Sequence, residues 1–175
     1  MRFIANMGLT GMVSDKNAEL LGGVPLFHGL SSAQLLAVAA KGEKTFFESG
    51  ETIVKARKKY KAAYLILSGA VETRPSGKTG LVSEAYDAGS MIGEMAMLTD
   101  SIAAIDVVAT DRVRALAITK DALYQVMEED PEIAFHLSDK ITERLVLLAH
   151  DLRELDARLA TLEFTADDSL LALAS

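Results

Sequence analysis

Between Lys44 and Ile118 the chain never holds a helical period. Short runs rich in β-branched and aromatic residues alternate with turn signals: Thr45-Phe46-Phe47 before Ser49-Gly50, then Thr52-Ile53-Val54, then Tyr64-Leu65-Ile66-Leu67 before Ser68-Gly69. Ala70-Val71-Glu72-Thr73 precedes a turn at Pro75-Ser76-Gly77. Leu81-Val82 and Ala85-Tyr86 lead to Asp87-Ala88-Gly89, and Ile105–Val108 and Val113–Ile118 close the series. Each run is too short to bury its apolar face alone, so a series of this kind predicts a sandwich or barrel.

Helical patterning flanks the series. Ser31 and Gln34 have capping-box spacing, and Leu30 and Leu35 can form a hydrophobic staple. Leu35, Leu36, Val38 and Ala39 supply one face, and Gly42 marks the stop. After Thr119, the residues Ala122, Leu123, Val126 and Met127 form a second apolar face. Asp130-Pro131 reads as an N-cap with proline at the first helical position, opening a helix expected to reach about Leu162.

That helix carries its own pattern. Leu145, Leu152 and Leu159 recur every seven residues, as do Ile141, Leu148, Leu155 and Leu162, offset by three. Apolar residues at two such heptad positions make the seam of a coiled coil, so the expectation is a homodimer joined along this helix. In a parallel pair Arg158 would face Glu163 favourably, while Asp151 and Asp156 would oppose each other. Such exposed pairs are worth only about a few tenths of a kcal/mol and do not overrule the leucines.

Composition excludes several classes. The 175 residues include no cysteine, which rules out disulfides and thiolate metal sites and suits a reducing cytoplasm. A net charge of −7 disfavours nucleic acid unless a basic patch dominates locally. No apolar run approaches the roughly 20 residues that a membrane span needs. Residues Met1–Val13 are interrupted by Asn6, Gly8, Thr10 and Gly11, a poor signal-peptide core, and are expected to form a flexible arm. His28, His136 and His150 match no metal-ligand spacing, and no catalytic triad, nucleophile elbow or P-loop is present, so no enzyme is expected.

Asp87-Ala88-Gly89-Ser90-Met91-Ile92-Gly93-Glu94-Met95-Ala96-Met97-Leu98 resembles the phosphate-binding cassette of cyclic-nucleotide-binding domains. Val24-Pro25-Leu26-Phe27, with Gly29-Leu30, resembles the opening of that family, and Tyr64–Gly69 its central strand and turn. The resemblance spans roughly residues 20–162. It implies a mainly β jelly roll, or double-stranded β-helix, with flanking helices and a long C-terminal helix. The implied ligand is a cyclic nucleotide, cyclic AMP or cyclic GMP. By carry-over, Glu94 would accept a hydrogen bond from the ribose 2′-hydroxyl, and the amides of Met95 and Ala96, following Gly93, would face the phosphate at the start of a short helix.

Two departures accompany the match. Counting without a gap from Gly93, the family's phosphate-neutralising arginine falls at Ala103, followed by Ala104, and no lysine or arginine lies between Lys78 and Arg112. Asp100 and Asp106 flank the region and make it more hostile to an anion. The family's acidic turn is replaced by Lys55-Ala56-Arg57-Lys58-Lys59-Tyr60-Lys61, five cations in seven residues. Lys55, Arg57, Lys58, Lys59 and Lys61 read as a solvated hairpin or as a contact for an acidic partner.

The expected organisation is an N-terminal arm over 1–19, a roll with its helices over 20–130, a dimerisation helix over 131–163 and a tail over 164–175. The residues after Leu162 are too few for a helix-turn-helix, so no DNA-reading domain is expected in this sequence. The functional expectation is a small cytoplasmic sensor that binds a cyclic nucleotide weakly, or another small anion, and signals through its helix. The alternative is a ligand-free domain that serves as a protein-interaction module.

Overall fold

A computed structural model describes residues 15–75, 82–100 and 102–173, and side chains only as far as Leu159 in the last helix. Residues 15–22 form α1. It is followed by α2 (Ser32–Lys41), β1 (Glu43–Phe47), β2 (Thr52–Val54), β3 (Ala62–Ser68), β4 (Val71–Arg74), β5 (Ala85–Tyr86) and β6 (Met91–Ile92). A single 3-10 turn over Glu94–Met97 precedes β7 (Asp106–Ala109) and β8 (Val113–Thr119), then α3 (Lys120–Glu129) and α4 (Pro131–Leu173). The arm expected over Met1–Val13 and the turn at Ser76-Gly77 lie outside the described residues.

The strands form two antiparallel sheets of four, ordered β1-β8-β3-β6 and β2-β7-β4-β5. This is a mainly β roll with flanking helices and a long C-terminal helix. Its interior is filled by Val54, Ile66, Val71, Ile92, Ala103, Val107, Ala109, Val113 and Ala115. β8 shows how one strand serves two layers. Val113 and Ala115 join the interior cluster, while Leu116, on the alternate face, is buried as well. The space at Gly42 shows where Leu116 goes: a Cβ there would stand 2.6 Å from Leu116 Cγ. Gly42 therefore ends α2 for want of room, with ordinary extended angles (φ −75°, ψ 145°), and not as a left-handed cap.

Local signals place the helices. Ser31 closes the capping box: its Oγ accepts from the Gln34 amide at 3.3 Å, and its own amide donates to Gln34 Oε1 at 3.0 Å. Gln34 Nε2 also donates to Asp130 Oδ2 at 3.0 Å, while Asp130 Oδ1 accepts from the Glu132 amide at 3.1 Å. One carboxylate thus caps α4 and ties its start to α2. At the turn from β3 to β4, Gly69 takes φ +88°, and a Cβ would lie 2.3 Å from the Arg112 carbonyl oxygen, so only glycine fits.

The chain divides into two units, the first ending at Ala134 and the second beginning at Phe135. In the second, Leu145, Leu148, Leu152, Leu155 and Leu159 are each 54–60% exposed, and Ile141 is half-buried. Val146 and Leu147 are also exposed, outside the heptad seam. Arg158 Nη2 lies 3.4 Å from Glu154 Oε1 on its own helix, so the cation expected to face Glu163 already has a partner. The side chains of Leu162 and Glu163 lie outside the described set.

Two expected boundaries differ. Asn17 and Ala18 are buried in α1, so packed structure begins inside the arm expected over 1–19. α4 continues to Leu173, ten residues past the expected end at 163, because no proline or glycine interrupts the chain after Pro131.

Candidate ligand-binding site

The roll holds a half-open cavity of about 200 Å³. Its floor is β2 and β7 (Val54, Val107). One wall is Met91, Ile92 and Gly93, another is Ala103, Ala104 and Ile105, and Tyr60, Thr73 and Tyr86 complete it. No charged side chain lines it.

The polar atoms of the lining are largely spent on the protein. Thr73 Oγ1 donates to the Glu84 carbonyl at 3.3 Å and accepts from the Glu84 amide at 2.8 Å. The Tyr86 hydroxyl donates to Glu84 Oε2. That hydrogen bond, then burial, then the nearby negative charge push the Tyr86 pKa up, so the phenol stays neutral at physiological pH. What faces the cavity is therefore mostly rings and alkyl groups, suited to a flat uncharged moiety.

The cassette is built differently from its sequence reading. Gly93 holds φ +73°, and a Cβ there would stand 2.6 Å from Tyr60 Cε2, so the tyrosine ring lies directly against the glycine backbone. The following helix is only one 3-10 turn, too short to concentrate a dipole. Within it the Ala96 amide donates to the Gly93 carbonyl at 2.9 Å, so that amide does not present itself to a phosphate. Ala96 is buried, Met95 is 48% exposed, and Glu94 is half-buried outside the lining. Of the six residues expected at a ligand, Gly93, Ala103 and Ala104 line the cavity and Glu94, Met95 and Ala96 do not.

The basic segment lies beside the position of the missing arginine. The Arg57 amide donates to the Ala103 carbonyl at 2.8 Å, and the Ala103 amide donates to the Lys58 carbonyl at 3.1 Å. Lys59 pairs with Ile102 in an isolated antiparallel bridge. Expected as a hairpin, the segment is a loop that crosses from β2 in one sheet to β3 in the other, and Asp106 clamps its start: Oδ1 accepts from the Ala56 amide at 2.6 Å and Oδ2 meets Lys55 Nζ at 3.0 Å. The backbone donor first, and Lys55 second, lower the Asp106 pKa below the usual carboxylate range.

Two expectations change accordingly. Asp106 is a neutralised anchor, not a free negative charge facing a ligand. Lys55 is committed to Asp106, while Arg57, Lys58, Lys59 and Lys61 remain exposed. The sequence reading missed Tyr60 and Tyr86 as cavity walls. Their signal was faint: Tyr60 is the one aromatic residue in the basic stretch, and Tyr86 sits in a two-residue strand.

Among the described residues no cluster of histidine, aspartate and glutamate could hold a metal ion, and no helix is long and apolar enough to cross a membrane.

A two-sheet roll with a glycine-led 3-10 turn over its cavity, followed by a long helix, defines a class, and comparison with known proteins gives the same class. The family model described as cyclic nucleotide-binding domain matches residues 44–130, and the chain belongs to that family. Over 145 residues it is 27% identical to the cyclic AMP receptor protein of Thermus thermophilus, covering 81% of this chain and 63% of the relative. Over 150 residues it is 26% identical to a CRP-like cAMP-activated global transcriptional regulator of Mycobacterium tuberculosis, covering 84% of this chain and 63% of that protein. The chain thus spans 63% of the length of these curated relatives. In fold it is similar to the N-terminal domain of a transcriptional regulator from Streptomyces coelicolor, with TM-score 0.67 and 21% identity over 72% of this chain and 89% of that one. It is similar also to the catabolite activator protein of Thermus thermophilus, with TM-score 0.57 and 28% identity over 80% of this chain and 63% of that one. Its matched residues form a cyclic nucleotide-binding domain similar to those of these CRP-like regulators.

Proposed function

We propose that this chain is a cytoplasmic regulatory module whose roll takes a cyclic nucleotide weakly and whose long helix, paired with that of a second copy, passes the ligand's effect onward. The observation that carries the weak binding is Ala103. It lines the cavity at the position where the family places an arginine, and no charged side chain replaces it in the lining. A charge-assisted phosphate contact is worth about 1.5–3 kcal/mol, or roughly 10- to 100-fold in affinity.

Calorimetric titration with cyclic AMP and cyclic GMP tests the reading. Binding is expected in the micromolar range or weaker, and Ala103→Arg is expected to tighten it about 10- to 100-fold. Because Ala103 is buried, the variant is first compared with the native chain by thermal unfolding. Nanomolar binding by the native chain, or no gain in a folded variant, overturns the assignment.

A second reading, a ligand-free interaction module, is favoured by the neutral lining and by the Tyr60 ring against Gly93. Absence of heat with either nucleotide up to millimolar concentration, in native chain and variant alike, selects it.

A further inference from the structure

We infer that the basic loop between β2 and β3 is the anion-binding rim of the cavity, so that a phosphorylated ligand enters ring first and leaves its phosphate at the Ala103 end, where Arg57, Lys58 and Lys59 stand in for the missing arginine and an arginine at position 103 would join them. The inference rests on the reading of the cavity as a ligand site and adds the ligand's orientation and the residues that hold its charge.

Size comes first. Pockets that enclose most of a drug-sized ligand run from about 300 to 1,000 Å³. At about 200 Å³ this cavity holds a fragment of such a molecule. Its lining decides which fragment, because rings and alkyl groups accept a heterocycle and no cationic side chain is there to meet an anion. The charged remainder of the ligand is left at the mouth.

Placement comes second. The loop is hydrogen-bonded through the backbone of Arg57 and Lys58 to Ala103, a wall residue, and through Tyr60 it supplies a wall itself. Its backbone is therefore held against the cavity wall, and Arg57, Lys58 and Lys59 are exposed beside it. Lys55 and Asp106 fix the base of the loop, and among the described residues Arg57, Lys58 and Lys59 enter no ion pair there. In a chain of net charge −7, three adjacent cations without carboxylate partners form a local positive field.

Strain comes third. Arg57 takes φ +62°, and it is the one non-glycine residue with positive φ among the described residues. An L-residue other than asparagine or aspartate rarely adopts this region, and such strain concentrates at ligand clamps. A glycine would sit there without strain. The arginine side chain is what the strained position provides.

The test is a pair of titrations at low and high salt, using cyclic AMP and its uncharged counterpart adenosine. They are run on the native chain, on the triple variant Arg57→Gln/Lys58→Gln/Lys59→Gln, and on Arg57→Gly, which relieves the backbone and keeps the fold. Cyclic AMP is expected to lose about tenfold or more in affinity in the triple variant, with most of its salt dependence, and to weaken in Arg57→Gly. Adenosine is expected to bind all three proteins equally, independent of salt. Cyclic AMP binding that ignores the loop substitutions overturns the inference and leaves the ligand reading standing. Failure of both cyclic AMP and adenosine to bind the native chain overturns both together. Equal losses for adenosine and cyclic AMP assign the loop to cavity shape and overturn its role as a charge rim.

Discussion

Gly93 condenses the chemistry of the site into one backbone position. Its φ of +73° is costly for any L-residue, and a Cβ would intrude to 2.6 Å from the Tyr60 ring. Gly93→Ala should therefore suffer two penalties, conformational strain and displacement of an aromatic wall, and lose about 1–3 kcal/mol of stability. Gly50 separates the two. It also has positive φ (+85°), but nothing lies within 4 Å of its would-be Cβ, so Gly50→Ala should show the strain alone. Urea denaturation of both variants, and of Gly93→Ala combined with Tyr60→Ala, measures the difference. Recovery in the double variant locates the excess at the ring, whereas equal losses at Gly50 and Gly93 show that the tyrosine yields freely.

At the scale of elements, the loop between β2 and β3 depends on one carboxylate. The Asp106 pKa is lowered by the Ala56 amide and by Lys55, so its ionised form stabilises the folded loop. The sign follows: the contribution is present above the unfolded carboxylate value, near about 3.9, and is lost as pH falls through the lower folded value. The Ala56 amide should therefore become exchange-labile on acidification below about pH 4, before the sheets open. Asp106→Asn should remove that pH dependence and free Lys55. Amide exchange followed by NMR across this range checks both, and an Ala56 amide equally protected at pH 2.5 and 7 would show that another contact holds the loop.

The same element shows how far the sequence could be read. Most strands from Thr52 to Ile118 were legible because β-branched runs and glycine turns are local signals, and the Ser31 box and the Asp130 cap were legible for the same reason, whereas β6 was hidden inside the cassette and Val82, read as part of a run, lies in no strand. The pairing of Arg57 and Lys58 with Ala103 was not, because it joins residues more than forty positions apart through backbone atoms alone. An alanine in the loop before β7 therefore carried no sign of the cations beside it. The state of the Ala96 amide was hidden for a related reason. Gly93-Glu94 matches a family motif in letters, but whether its amides face outward depends on a turn that the structure closes on itself at Ala96.

For the whole molecule the open question is what covers α4. Leu145, Leu148, Leu152, Leu155 and Leu159 stand more than half exposed along one heptad seam, an apolar stripe that soluble chains rarely leave to water. A second copy is the occupant argued for, because the heptad repeat is self-complementary: each leucine of one helix can enter a hole of the same spacing in its twin. Burying the exposed half of each leucine contributes about 1 kcal/mol. Over two helices that is comparable with an association cost of about 4–15 kcal/mol, so the dimer should be concentration-dependent rather than permanent. Arg158 is already paired with Glu154, which leaves leucine packing, not flanking charge, as the main driving force. Leu152→Glu tests this at the centre of the seam, where two carboxylates would be forced together in a low-dielectric contact. The native chain is expected to scatter light as a dimer at tens of micromolar, and the variant as a monomer with the roll's unfolding midpoint unchanged. A native monomer at that concentration refutes the paired helix. A variant that remains dimeric places the interface on another surface, and Val146 and Leu147, exposed beside the seam, are then the next residues to change.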